Sequence, residues 1–143
     1  MGRELRPARD PFAAQELGSI IIVAATDAPL MPHQLKRIAR RLTIGLARTG
    51  STSGNGSGDL FIAFSTANAP SKKHTDVENV KMLRNSRMDP LFAAAVQATE
   101  EAIVNALVAA ETMTGINGYR VEALPHDRLR SVLREYGRLD ESR

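Results

Sequence analysis

Cysteine is absent from the 143 residues, so disulfides, thiol catalysis and thiolate metal sites are excluded at the outset. Tryptophan is absent too, and aromatic residues make up only 4% of the chain, which leaves Ala, Leu, Ile and Val to fill a core. Histidine is sparse: His33, His74 and His126 are scattered, no two share a helical turn, and neither a metal site nor a histidine-based triad is marked out. No stretch free of charge approaches the roughly twenty residues a bilayer-spanning helix needs, and no apolar signal core follows Met1. The expectation is therefore a cytoplasmic chain with no membrane contact. Nucleotide fingerprints are missing as well: no Gly-x-Gly-x-x-Gly follows a strand, and the glycine-rich stretch at 50–58 has no lysine in the Walker position.

What is present has the profile of one globular domain, with 43% hydrophobic and 24% charged residues and a formal charge of +3. That charge is uneven. Lys36, Arg37, Arg40, Arg41 and Arg48 fall in a segment with no acid between His33 and Arg48, so the remainder of the chain is net negative. A basic helix can face nucleic acid or anionic lipid, but no interleaved aromatics or DNA-reading motif accompany this one. A solvated face or a protein interface is the better reading, and nucleic acid is not expected as a partner.

Residues 1–16, with Pro7 and Pro11 and no apolar period, read as an extended surface segment. From Gly18 to Thr26 the chain is apolar and β-branched, which predicts a strand covered on both faces and stopped by Asp27-Ala28-Pro29. Leu35, Ile38, Ala39, Leu42 and Leu46 then recur at helical spacing after Pro32, an apolar stripe opposite the basic face. The helix must end before the glycine-rich stretch at 50–58. Asp59 to Thr66 reads as a second strand, also apolar on both parities and so also covered on both faces. Residues 67–87 read as a surface excursion. Asp89-Pro90 opens a helix running from Leu91 to Met113, apolar around most of its circumference, with Leu91, Val96, Ile103, Leu107 and Val108 as expected core. A strand-like stretch from Tyr119 to Leu124 and a short helix from Pro125 to Tyr136 close an alternating order that places layers of helix over the sheet or sheets.

One constellation could carry chemistry. Ser19, after Gly18, heads the first strand, and Ser57 and Asp59 stand where the second begins. Two residues apart in an extended chain, Ser57 and Asp59 point to one side about 6.5–7 Å apart at the backbone, so a carboxylate can polarise a hydroxyl. The same residues also dominate ordinary turns, and spacing alone leaves both readings open.

The segments GSIIIVAATDAPLMPHQLKRIARRLTIGLARTGS (18–51), NGSGDLFIAFSTAN (55–68) and ALPHDRLRSVLREYGRL (123–139) closely resemble the β-chain of the DmpA-type aminopeptidases, a family that includes L-aminopeptidase/D-esterases and β-aminopeptidases. GREL at 2–5 resembles the end of the α-chain of the same precursor, so residues 1–18 would be an α-chain stub and 19–143 the β-chain catalytic portion. The resemblance implies an α+β fold, part of an αββα sandwich of the N-terminal-nucleophile-hydrolase type shared with ornithine acetyltransferase. It implies a precursor that cuts itself between Gly18 and Ser19, with Ser19 as nucleophile and Ser57 and Asp59 as its catalytic companions; some members carry Glu at the acidic position.

No metal or organic cofactor is implied. The partners implied are the α-chain, a small peptide or aminoacyl amide substrate, and further αβ units in a homo-oligomer. Two other readings are an acyltransferase of the ornithine acetyltransferase branch, which typically has Thr where Ser19 stands, and a non-catalytic assembly module docking through the basic helix.

Overall fold

The computed structural model describes residues 18–69 and 76–139, so the extended segment expected at 1–16 lies outside the described residues. The chain divides into two compact units, Met1–Thr99 and Glu100–Arg143. In the first, strand β1 (Ile21–Thr26), helix α1 (Pro32–Arg48) and strand β2 (Leu60–Ser65) follow one another, and β1 pairs with β2 in parallel, Ile21 opposite Leu60 through Thr26 opposite Ser65. Parallel strands need a crossover, and α1 provides it.

The apolar stripe of α1 behaves as its spacing predicts. Ile38, Leu42, Gly45 and Leu46 are buried, and Leu42, only 1% exposed, sits under the helix centre. Burial of such a side chain contributes about 1.5–3 kcal/mol. Leu30, Ile38 and Met88 form the innermost cluster, with Ala24, Ala28, Leu35, Ala63, Leu91 and Phe92 packed against it. Gly45 permits a close helix crossing: a Cβ there would fall 2.5 Å from the Cβ of Thr99 on helix α2 (Asp89–Ala109).

Several polar groups secure the segment after β2, the expected surface excursion. Gln34 is fully buried; its Nε2 donates to Leu83 O (2.8 Å) and Asn85 Oδ1 (3.0 Å), while its Oε1 accepts from the Met31 amide (3.0 Å). The Leu83 amide donates to Pro29 O, and the Asn68 side chain bridges both backbone groups of Lys81. Two cations of the basic face are used locally, since the Arg41 and Arg37 guanidinium groups lie 3.5 and 4.9 Å from the Phe92 ring centre.

Three expectations need correction. Neither strand is covered on both faces. Ile22, Ala24, Phe61 and Ala63 face the helix side, but Ile21, Val23, Leu60, Ile62 and Phe64 stay exposed, Ile21 by 66% and Ile62 by 51%. α2 is likewise not a buried helix: Thr99 is its one buried residue, Leu91, Val96 and Ile103 of the expected core are half-buried, and Leu107 and Val108 are exposed. Both expectations rested on apolar residues on every side of an element, which report how much cover an element can use rather than how much this chain supplies. α2 also meets the length and hydropathy needed to cross a bilayer, as core helices of soluble proteins do; Glu100 and Glu101 at its middle would be costly there.

The third correction is to the end of α2, which stops at Ala109 instead of continuing to Met113. Met113–Thr114 (β3) pairs antiparallel with Arg120–Val121 (β4). The turn between them uses Asn117 and Gly118, both at positive φ (58° and 72°), the Asn-Gly chemistry of tight hairpins. Helix α3 (His126–Glu135) follows, and its first residue is tied to the end of α2 by a hydrogen bond between His126 Nε2 and Val108 O (2.9 Å).

Candidate active site

The heads of β1 and β2 bring the sequence-predicted residues together. Carrying the parallel register back from Ile21 and Leu60 places Ile20 beside Asp59 and Ser19 beside Gly58, and the hydrogen bonds follow that order. The Leu60 amide donates to Ile20 O (2.9 Å), the Ile20 amide to Asp59 Oδ1 (3.2 Å) and the Gly58 amide to Ser19 Oγ (2.9 Å). Both backbone groups of Ile20 are thus gripped by the head of β2, with the Asp59 carboxylate standing in for a strand carbonyl. The residue carrying the candidate nucleophile is held from one side by this grip and at its hydroxyl by Gly58.

Ser19 and Gly58 are exposed and Asp59 is half-buried, with its Oδ2 closed off from solvent and without a hydrogen-bond partner among the described residues. The nearby Ser57 hydroxyl is the main influence holding the Asp59 carboxyl below the ordinary aspartate value; partial loss of solvent opposes it, and the Ser53 hydroxyl and Ile20 amide reinforce it. Asp59 is accordingly an anion at neutral pH. Ser57 joins the cluster through Asp59, and its own amide closes a turn onto Gly54 O (2.9 Å). Gly18 is exposed, and among the described residues nothing lies within 4 Å of the position a Cβ would take.

Chemically, the Ser19 oxygen accepts one hydrogen bond from a backbone amide and keeps its proton free to give away. The described histidines do not receive it: His126 is engaged with Val108, and no hydrogen bond joins a histidine to Ser19 among the described residues. Among those residues no group of three His, Asp or Glu side chains could hold a metal.

Sequence reasoning singled out Ser19, Ser57 and Asp59 but missed Gly58, Ile20 and Ser53. The signal for Gly58 and Ile20 lay in the βαβ order, because a parallel register that aligns the two apolar runs aligns their preceding residues too. Nothing comparable marks Ser53, a loop serine at φ 46°.

Comparison with known proteins gives one consistent picture. The pattern of peptidase family S58 matches residues 1–121. A beta-peptidyl aminopeptidase BapA of Sphingosinicella microcystinivorans is 54% identical over 123 residues, 85% of this chain and 31% of that protein; its counterpart in Sphingosinicella xenopeptidilytica is 48% identical over 87% of this chain and 32% of its own length. Among solved structures, the L-aminopeptidase D-Ala-esterase/amidase of Ochrobactrum anthropi, described as a prototype serine aminopeptidase and a new variant of the Ntn-hydrolase fold, superposes with a TM-score of 0.78 at 53% identity, over 85% of this chain and 35% of that one. The α+β arrangement here is a portion of that fold. The chain spans about a third of the length of the relatives it matches.

Proposed function

The chain belongs to peptidase family S58, and on that premise we propose that it is the nucleophile-bearing portion of a serine aminopeptidase that frees its own catalytic serine by cutting the Gly18–Ser19 bond. The observation that carries the reading is the seating of Ser19: its hydroxyl held by the Gly58 amide at the head of β1, beside an exposed Gly18 and an anionic Asp59 that fixes the next residue.

In self-cleavage the Ser19 oxygen attacks the Gly18 carbonyl carbon and gives up its proton. The C–N bond breaks, the Ser19 nitrogen takes a proton, and the Gly18 acyl group is left as an ester on Oγ. Water then hydrolyses that ester, releasing the Gly18 carboxylate and leaving Ser19 with a free amine. That amine supplies what the uncut site lacks. An α-amine titrates at about 7.7–8.0, so near neutral pH a useful fraction is neutral and can take the hydroxyl proton as Ser19 attacks the carbonyl of a small peptide or aminoacyl amide. The leaving amine takes the proton, and water resolves the acyl-enzyme. Ser57 and Asp59 orient this exchange from the head of β2.

The open face of β1 and β2 fits the same reading: the α-chain of the precursor would cover Ile21, Val23, Leu60, Ile62 and Phe64 and close the site. Expressed with the α-chain region in one precursor, the protein should appear by intact mass as two pieces divided between Gly18 and Ser19. Ser19→Ala should stay whole and be inactive. Ser57→Ala should lose on the order of 10²–10⁴ in turnover at an unchanged folded fraction. Normal cleavage or turnover in the Ser19 variant would remove the proposed nucleophile.

A further inference from the structure

We propose that Gly58 is a positioning residue for the Ser19 nucleophile, working in two ways: its backbone N–H orients the hydroxyl, and its missing side chain leaves the hydroxyl room to react. The proposal rests on the serine-hydrolase reading and adds to it a residue that contributes no functional group of its own.

A glycine is usually explained by its backbone. Gly50, Gly118 and Gly137 have φ of 102°, 72° and 59°, which L side chains rarely adopt, and among the described residues nothing lies within 4 Å of where their Cβ would stand. Gly58 is the reverse. Its φ is outside that region, so any residue could adopt its backbone, yet a Cβ there would lie 3.2 Å from Ser19 Oγ and 3.8 Å from Ser19 Cβ. What favours glycine at 58 is the close approach of Ser19, and the same approach allows the 2.9 Å hydrogen bond from the Gly58 amide to Oγ.

The direction of that bond matters. A hydroxyl that accepts from a fixed amide has one lone pair engaged, which selects one side-chain rotamer and leaves the O–H to be donated elsewhere. The amide is itself immobilised, since the next two residues bind the backbone of Ile20 through Asp59 Oδ1 and the Leu60 amide. Oγ is therefore located relative to the Gly18 carbonyl before cleavage and relative to the α-amine of Ser19 after it. A methyl group at position 58 keeps the N–H but stands 3.2 Å from the oxygen, which must give way by a few tenths of an ångström; a misplacement of about 1 Å can cost on the order of 10²-fold in rate, and this smaller shift costs a part of that.

The test uses the precursor containing both chains. Gly58→Ala should slow self-cleavage at Gly18–Ser19. After processing it should lower kcat for an aminoacyl anilide by roughly 3–10-fold while KM stays within about twofold, because the pocket is untouched and only the nucleophile moves. A purely structural role would instead lower the folded fraction and leave kcat per folded molecule unchanged, and that outcome would overturn the proposal. A second measurement does not depend on whether Gly58→Ala folds. In Ser19→Ala the Gly58 amide loses its acceptor, so its hydrogen exchange should accelerate at least tenfold while the Leu60 amide, bonded to Ile20 O, keeps its protection. Equal protection of Gly58 in both proteins would show that the amide does not hold the hydroxyl. If Ser19→Ala itself remains active, the underlying serine-hydrolase reading has failed; if Ser19→Ala is inactive and Gly58→Ala retains full kcat, only the role of Gly58 has.

Discussion

The two faces of the β1–β2 pair are built from similar residues and meet different fates. On one, Ile22, Ala24, Phe61 and Ala63 lie toward the helix side; on the other, Ile21, Val23, Leu60, Ile62 and Phe64 remain open. The open side chains are if anything the bulkier set, so composition would not tell a reader which face is covered. A contiguous apolar face of this kind on a folded unit marks a place where another surface packs. The covered face therefore carries the stability of this unit, and the open face is the one the proposed assembly with an α-chain would use. Ser19 and Gly58 lie exposed at the head of the pair, while Asp59 sits half-buried beside them, so the candidate site stands where the two faces meet.

If that division holds, mutations on the two faces should separate cleanly. Leu42 in the buried stripe of α1 is 1% exposed, and Leu42→Ala should cost about 2–5 kcal/mol of folding stability, a large part of the 5–15 kcal/mol typical of a domain. Urea unfolding measures it, and a loss well under 1 kcal/mol would mean the stripe of α1 is not the core. On the open face Ile62→Lys should change the stability of the chain alone by no more than about 0.5 kcal/mol, because the side chain is already 51% exposed. Light scattering should show less self-association in that variant, and it should fail to assemble with an α-chain. Should Ile62→Lys destabilise the isolated chain as much as Leu42→Ala does, the distinction between the faces collapses.

The same contrast explains what could be read from the sequence. α1 was legible because its apolar residues occupy one side only, and Ile38, Leu42 and Leu46 are buried as their spacing predicts. Strand positions were legible to within a few residues, since Gly, Asp and Pro bracket the apolar runs. The cover over Ile21 or Leu107 was not, because residues apolar on every side record burial in whatever assembly the sequence evolved for, and local patterning cannot say which chain segment provides it. The hairpin at Met113 was hidden for another reason: helical periodicity runs on past Ala109, and the Asn117-Gly118 pair just beyond it was not read as a turn. At the site, Ser19, Ser57 and Asp59 stood out as chemistry-bearing residues, whereas Gly58 and Ile20 act through backbone groups that no residue type advertises.

The smallest expected effect concerns Asp59, on the half-buried side of the site. Its carboxyl is held below the ordinary aspartate value, chiefly by the Ser57 hydroxyl, so the folded state binds a proton there less readily than the unfolded chain. A depressed folded value means that the stabilisation is complete above the unfolded value of about 3.9 and is lost as pH falls through the lower folded value. Asp59→Asn keeps an oxygen that can accept from the Ile20 amide and removes only the charge, which is why the difference should be modest. Paired urea melts of the parent and Asp59→Asn should therefore show a small, constant gap from pH 7 down to about 5, closing as the pH falls below about 4. A gap that persisted unchanged at the lowest pH would show that the carboxylate charge plays no part, and that Asp59 serves the head of β2 solely as the hydrogen-bond acceptor for Ile20.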